Sequence, residues 1–176
     1  MSRVEATLRE LRRWDRALCI QLNQGLRYAM LVRAFQSVSW LGNGIFWYAL
    51  MLALLVIHRG DGLLPVLHMA LVGAVCTASY KVLKRGTLRP RPFEVVPRIA
   101  AGAPVLDRFS FPSGHTLHAV AFTLVACAYY PQLAGVLVPF TVLTAASRVV
   151  LGLHYPSDVL AGAAIGAAIA LASFRV

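Results

Sequence analysis

Apolar residues run through this chain in long uncharged blocks, with the polar residues gathered between them. Residues 34–57 carry no charge, and neither do residues 62–80, whose single imidazole is His68. Residues 109–147 form an uncharged block long enough for two membrane spans, and 159–174 form a shorter one. A spanning helix needs about 20 mostly apolar residues. The pattern therefore predicts at least five membrane helices: 45–57, extended upstream by part of 34–41, then 63–83, 112–129, 133–150 and 156–174. Turn residues punctuate the blocks. Gly42-Asn43-Gly44 predicts a break or kink, His58 to Gly62 a tight turn, and Pro156 the first residue of the last helix. Gly162 and Gly166 stand four apart, the small-residue spacing that lets helices approach closely.

The remaining segments read differently. Residues 4–22 place Val4, Leu8, Leu11, Ala17, Leu18 and Leu22 among charges. This predicts an amphipathic helix over 1–25, lying in the headgroup layer or packed on a neighbouring subunit. Residues 81–108 hold seven Lys/Arg and four prolines, and 81–112 is the long polar connection. Helices that alternate in direction bring the end of 63–83, the start of 112–129, and the junction of the last two helices to one membrane face. The expected architecture is an all-α polytopic bundle of five to six membrane helices, in a single domain over 1–176.

Composition sharpens this. Charged residues make up 14% of the chain and apolar residues 59%, against roughly 25% charged in soluble domains. The formal charge of +10 would suggest nucleic acid on a soluble protein. Without basic-aromatic alternation or a nucleic-acid motif it points instead to membrane-surface arginines and an anion site. Cys19, Cys76 and Cys127 show neither metal nor redox spacing and read as packing residues. The first 33 residues hold seven arginines, a poor match to a cleavable leader.

Three polar clusters carry candidate chemistry. In "SRVVLGLHYPSD", Asp158 lies four residues after His154. A helix starting at Pro156 lets the carboxylate receive the imidazole Nδ1–H and leaves Nε2 free as nucleophile or base; a neutral structural histidine is the bland alternative. Arg148 stands at the end of the incoming helix. In "FPSGHTLHA", Ser113 and Gly114 open a helix whose free N–H groups suit a phosphate-like anion. His115 would stand beside that anion as a proton donor, with His118 one turn on, at the mouth of the site, as packing or a supporting contact; an ordinary N-cap serine with an interfacial histidine is the alternative. In "KRGTLRPRP", Lys84 and Arg91 offer a point charge and a planar fork for phosphate oxygens, while Lys81, Arg85 and Arg89 suit anionic lipid heads. This inventory fits phosphoryl transfer through a phosphohistidine. It suits a metal site poorly, and no Gly-rich nucleotide loop is present.

These motifs resemble the type 2 phosphatidic acid phosphatase family, the membrane branch of a superfamily that includes class A acid phosphatases and vanadium haloperoxidases. Its pattern K-x6-RP, PSGH and SR-x5-H-x3-D stands here as Lys84 to Arg91-Pro92, Pro112 to His115, and Ser147-Arg148 to His154 and Asp158. The resemblance covers about residues 63–175. It implies His154 as nucleophile, Asp158 as its orienting carboxylate and His115 as general acid. It implies a phosphate clamp of Lys84, Arg91 and Arg148 completed by Ser113 and Gly114, with no metal and no cofactor. The implied partner is a lipid phosphate in the bilayer: phosphatidic acid, phosphatidylglycerophosphate, a polyprenyl phosphate or diphosphate, or a lipid A-type phosphate. A lipid-linked phosphotransferase would use the same intermediate. The implied location is the cell (inner) membrane. Many bacterial members have six spans and a site facing outward, so an extracytoplasmic site is the expectation if residues 26–41 supply a sixth element.

Overall fold

The computed structural model describes residues 3–105 and 107–175, and all regular structure among them is helical. Helix α1 spans Arg3–Asn23, α2 Ala29–Trp40, α3 Phe46–His58, α4 Leu63–Thr87, α5 Pro92–Val95, α6 Gly114–Tyr129, α7 Ala134–Val150 and α8 Pro156–Ser173. Among the described residues, three segments are long and apolar enough to cross a bilayer: 29–95, which folds through α2, α3 and α4, then Pro131–Val150 and Pro156–Ser173. Their outward faces carry Leu52, Val56, Leu64, Leu71, Val136, Val142 and Leu160 exposed. An apolar exterior of that extent is expected where lipid is the solvent. This is a membrane protein.

Helix α6 is the hub. It packs against α4, α7 and α8, and eight of its residues are buried. With 16 residues it is about 24 Å long, shorter than a bilayer core, and its neighbours shield it from lipid. Gly162 sets the approach of α8. A Cβ there would lie 2.6 Å from the Ser113 carbonyl oxygen, so only glycine seats α8 on the first turn of α6. Gly166 meets the Leu117 carbonyl in the same way one turn further along.

Contacts along the chain fix the two ends of the bundle. Ser39 bonds Arg148, a Cβ on Gly42 would touch Thr144, and Phe46 stacks on Phe140. The end of α2 and the start of α3 thus run antiparallel to α7, turn by turn, with the kink at Gly42-Asn43-Gly44 between them. At the far end His58 stacks on Tyr130, and His68 bonds both Tyr129 and Ser173. The near end holds the end of α4, the start of α6, the end of α7 and the start of α8. Helix α2 stays there. Gly25, just before it, packs on Val150, and Gln36 and Leu26 both reach Gly102.

Helix α1 also lies across the near end. Asp15, Cys19 and Asn23, spaced by one turn, form its buried face. Each bonds a segment beside the near-end loops. Asp15 accepts from the Ser157 N–H, Cys19 donates to the His154 carbonyl, and Asn23 bridges Ala100 and Val150. The predicted apolar stripe adjoins that face and stays uncovered: Leu11, Leu18 and Leu22 are exposed, with Trp14 beside them. The side chains of Val4 and Leu8 lie outside the described residues.

Candidate active site

A tight reversal after α7 places the histidine. Gly152 adopts φ +71°, a left-handed conformation that costs glycine little. The N–H groups of Leu153 and His154 then both return to the Arg148 carbonyl at 3.0 Å. His154 is left 2% exposed. The next helix follows at once, with Pro156 first and Asp158 in its first turn. Asp158 Oδ2 accepts the Tyr155 N–H at 2.8 Å, and Oδ1 accepts Arg89 Nη1 at 2.6 Å. Oδ2 stands 3.7 Å from His154 Nδ1, beyond hydrogen-bond length. The sequence-predicted pair is adjacent, but the carboxylate is claimed first by Arg89 and its own helix cap.

The other ring nitrogen faces cations. Arg91 Nη1 lies 3.5 Å from His154 Nε2. An N–H points at a ring nitrogen that carries a lone pair, which assigns the proton to Nδ1. Burial, followed by the nearby charges of Arg148, Arg91 and Lys84, holds the imidazole well below its usual pKa of 6.5. At neutral pH His154 is therefore an uncharged base with Nε2 free.

A cavity of about 570 Å³ opens over this nitrogen, lined by Lys84, Arg91, Gly114, His115, Arg148 and His154 among others. Lys84 and Arg91 are both buried. They grip a residue that the motif does not include. Lys84 Nζ donates to both Asp107 carboxylate oxygens at 2.7 and 2.6 Å, and Arg91 Nη2 donates to Oδ1 at 2.8 Å. Burial pushes the Asp107 carboxyl up, but the Lys84 and Arg91 charges and hydrogen bonds more than offset it and hold it below the usual range. Arg148 donates from Nη1 to Ser39, while its Nε, like Trp47 Nε1, is a buried donor with no acceptor. Buried donors are normally paired, so an orphan guanidinium nitrogen beside Lys84 and Arg91, which outnumber the one carboxylate of Asp107 in the wall, suits an anion.

Most of the sequence-predicted residues meet here, with two departures. Ser113 is buried and turned from the cavity. Its hydroxyl lies 3.0 Å from Thr116 Oγ1, and its N–H donates to the Asp158 carbonyl, so it ties α6 to α8. Arg89 does not bind the lipid surface as expected but is ion-paired to Asp15 and Asp158. His118 bonds the Gly114 carbonyl and Thr77 and lines the same cavity. Asp107, Ser39 and Asp15 were not legible as site residues. Asp107 is one of two acidic residues in 81–112, and Asp15 opens a buried stripe with Cys19 and Asn23; those were the available signals. Among the described residues, no group of three or more His, Cys, Asp or Glu side chains is placed to hold a metal ion.

Residues 62–176 match the PAP2 superfamily. The chain belongs to that superfamily. All three polar clusters fall within the matched region, whereas Asp15 and Ser39 precede it. Over 131 residues the chain is 42% identical to a decaprenylphosphoryl-5-phosphoribose phosphatase of Mycobacterium tuberculosis, covering 64% of this chain and 71% of that one. Over 58 residues it is 40% identical to a lipid A 1-phosphatase of Rhizobium johnstonii, covering 33% and 24% of the two chains. Two solved structures share its shape. A PAP2-type phosphatidylglycerolphosphate phosphatase of Bacillus subtilis matches with a TM-score of 0.76 and 26% identity, over 94% of this chain and 85% of that one. LpxE of Aquifex aeolicus matches with a TM-score of 0.79 and 27% identity, over 91% and 94%. As a PAP2 phosphatase of the membrane type, the chain is a phosphoric ester hydrolase.

Proposed function

We propose that this PAP2 enzyme hydrolyses the phosphate of a lipid through a phosphohistidine, without metal. The observation that carries the reading is His154 Nε2 facing a cavity lined by Lys84, Arg91 and Arg148. In the proposed reaction Nε2 attacks phosphorus while the bond to the leaving oxygen breaks. His115, which the bound phosphate's negative charge favours in its protonated form, gives that oxygen a proton. His115 then takes a proton from water, which attacks the phosphohistidine, and inorganic phosphate leaves. The three cations hold the non-bridging oxygens, where charge is greatest throughout phosphoryl transfer. Asp107 occupies two of them at rest and gives way to substrate. Asp158 balances the imidazolium character that develops on His154. The relatives' names favour a phosphomonoester carried by a lipid, and the M. tuberculosis relative puts a polyprenyl-linked sugar phosphate first among candidates. Phosphate release from such lipids by purified protein in EDTA, with His154→Ala alongside, tests the reading. It predicts release by the wild type and none by the variant.

The same reading places five helices across the cell membrane (α3, α4, α6, α7 and α8), with α1 in the headgroup layer, its exposed Leu11, Trp14, Leu18 and Leu22 turned to lipid. The expectation of an outward site leaned on a sixth element, re-entrant or spanning, within about residues 26–41. In the fold α2 begins and ends at the site end of α7, so α1 shares that end. Of the 17 Lys/Arg, only Arg59 and Arg175 belong to the opposite end. The arginines of α1 are not explained by substrate, so the positive-inside rule favours a site at the cytoplasmic face.

A further inference from the structure

The structure assigns Asp15, on α1, as a positioning residue for the catalytic pair, acting through Arg89. This inference rests on the proposed roles of His154 and Asp158. Arg89 is a fork with both tines engaged. Nη1 donates to Asp158 Oδ1 at 2.6 Å and to the Ser157 hydroxyl at 2.8 Å, while Nη2 donates to Asp15 Oδ2 at 2.7 Å. Asp15 is 3% exposed and Asp158 is fully buried. The Arg89 guanidinium also lies over the Tyr155 ring at 4.1 Å from its centre. Asp15 completes the ring of contacts. Its Oδ1 accepts the Ser157 N–H at 2.9 Å and its Oδ2 accepts the Ser157 hydroxyl at 2.5 Å. One carboxylate from α1 thus caps the first turn of α8 and anchors the arginine that fixes Asp158.

The chemistry gives this arrangement a purpose. A buried carboxylate needs a compensating cation to stay ionised, and Asp158 has Arg89. Arg89 keeps a quarter of its side chain exposed, so with one partner lost it is free to swing to solvent. Asp15 supplies the second partner that pins it. The orientation of Asp158, and with it the 3.7 Å approach to His154 Nδ1, then depends on a residue outside the motif-bearing region. Cys19 on the same face donates to the His154 carbonyl at 3.6 Å, so α1 braces both members of the pair.

The test uses the full-length protein in detergent micelles. Asp15→Asn keeps the acceptor for the Ser157 N–H but loses the charge that holds Arg89. The expected result is a fall in kcat of about tenfold, the scale of one lost charge-assisted hydrogen bond, with KM unchanged. Glu10→Gln, an exposed acidic change on the same helix, serves as the control and leaves kcat unaltered. The deciding measurement is a double-mutant cycle. In an Arg89→Gln background Asp15→Asn has no further effect on kcat, and Arg89→Lys, which keeps charge without the fork, recovers only part of the loss. Additive losses, or a lowered melting temperature with unchanged kcat, would show Asp15 to be only a helix cap and overturn the proposal. His154→Ala run in parallel separates the two ideas. A silent His154→Ala with an unimpaired Asp15→Asn removes the positioning role alone, whereas an active His154→Ala removes the nucleophile and the reading beneath it.

Discussion

Gly162→Ala joins packing to catalysis most directly. The new Cβ would sit 2.6 Å from the Ser113 carbonyl oxygen, against an ordinary contact of 3.4 Å or more. Helices α6 and α8 must therefore part by about 0.8 Å, since the obstacle is backbone and cannot rotate away. Overpacking of this kind costs roughly 1–3 kcal/mol, which leaves a folded protein. The site lies at that seam. Gly114 and His115 stand on the first turn of α6, and Asp158 on the first turn of α8. Misplacement of reacting groups by about 1 Å can cost 10²-fold in rate, so kcat is expected to fall by about 10- to 100-fold while melting drops by a few degrees. The assay is phosphate release in detergent beside a thermal melt. Gly135→Ala is the companion, because nothing lies within 4 Å of its Cβ and alanine favours helix; it should keep full activity. A Gly162→Ala enzyme that melts lower yet turns over at the wild-type rate would refute the coupling of the α6–α8 seam to the site.

Further outcomes follow from the same geometry. Because His154 is held well below 6.5, the free enzyme keeps its nucleophile deprotonated, and ¹⁵N-labelled His154 should show no imidazole titration as pH falls through 6.5; a titration centred there would contradict the assignment. By linkage the unfolded chain takes that proton first, so stability should decline below about pH 6.5. Arg91→Lys loses the fork that meets Asp107, Leu153 and His154 and should lower kcat about 100-fold despite its retained charge. Asp107→Asn releases Lys84 and Arg91 from a competing carboxylate, so inhibition by inorganic phosphate should strengthen about tenfold, the worth of one charge-assisted bond. Topology is read by impermeant maleimide on intact cells. Arg59→Cys should label from outside and Arg9→Cys only after permeabilisation, whereas the reverse would place the site outward.

Much of this was legible in the sequence because the membrane imposes strong rules. Uncharged blocks marked α3, α4, α6, α7 and α8, and alternation alone brought Lys84, Arg91, His115, Arg148, His154 and Asp158 to one end. Gly162 and Gly166 announced a close helix contact, and the structure supplies α6 as the partner. The hidden residues are those whose roles depend on long-range partners. Arg89 looks like any loop cation until Asp15, 74 residues earlier, is seen beside it. Asp107 has no periodic signal, being set in an irregular loop. Ser113 reads as a phosphate donor from its place at a helix start, yet the close packing of α8 turns its hydroxyl to Thr116. The N-terminal stripe predicted an amphipathic helix but not which face would be inward. The row of Asp15, Cys19 and Asn23 is buried, because these three satisfy near-end groups that lipid could not, while the arginines of α1 stay exposed.

The central claim is a covalent phosphohistidine on His154, and rapid quench with a ³²P-labelled lipid phosphomonoester in excess EDTA tests it. The account predicts a labelled enzyme that is stable in alkali and labile in acid, the signature of a phosphoramidate. The label should appear within one turnover, map to His154 and be absent from His154→Ala. Turnover of the same lipid with no labelled enzyme at any quench time, or label that persists in His154→Ala, would contradict it.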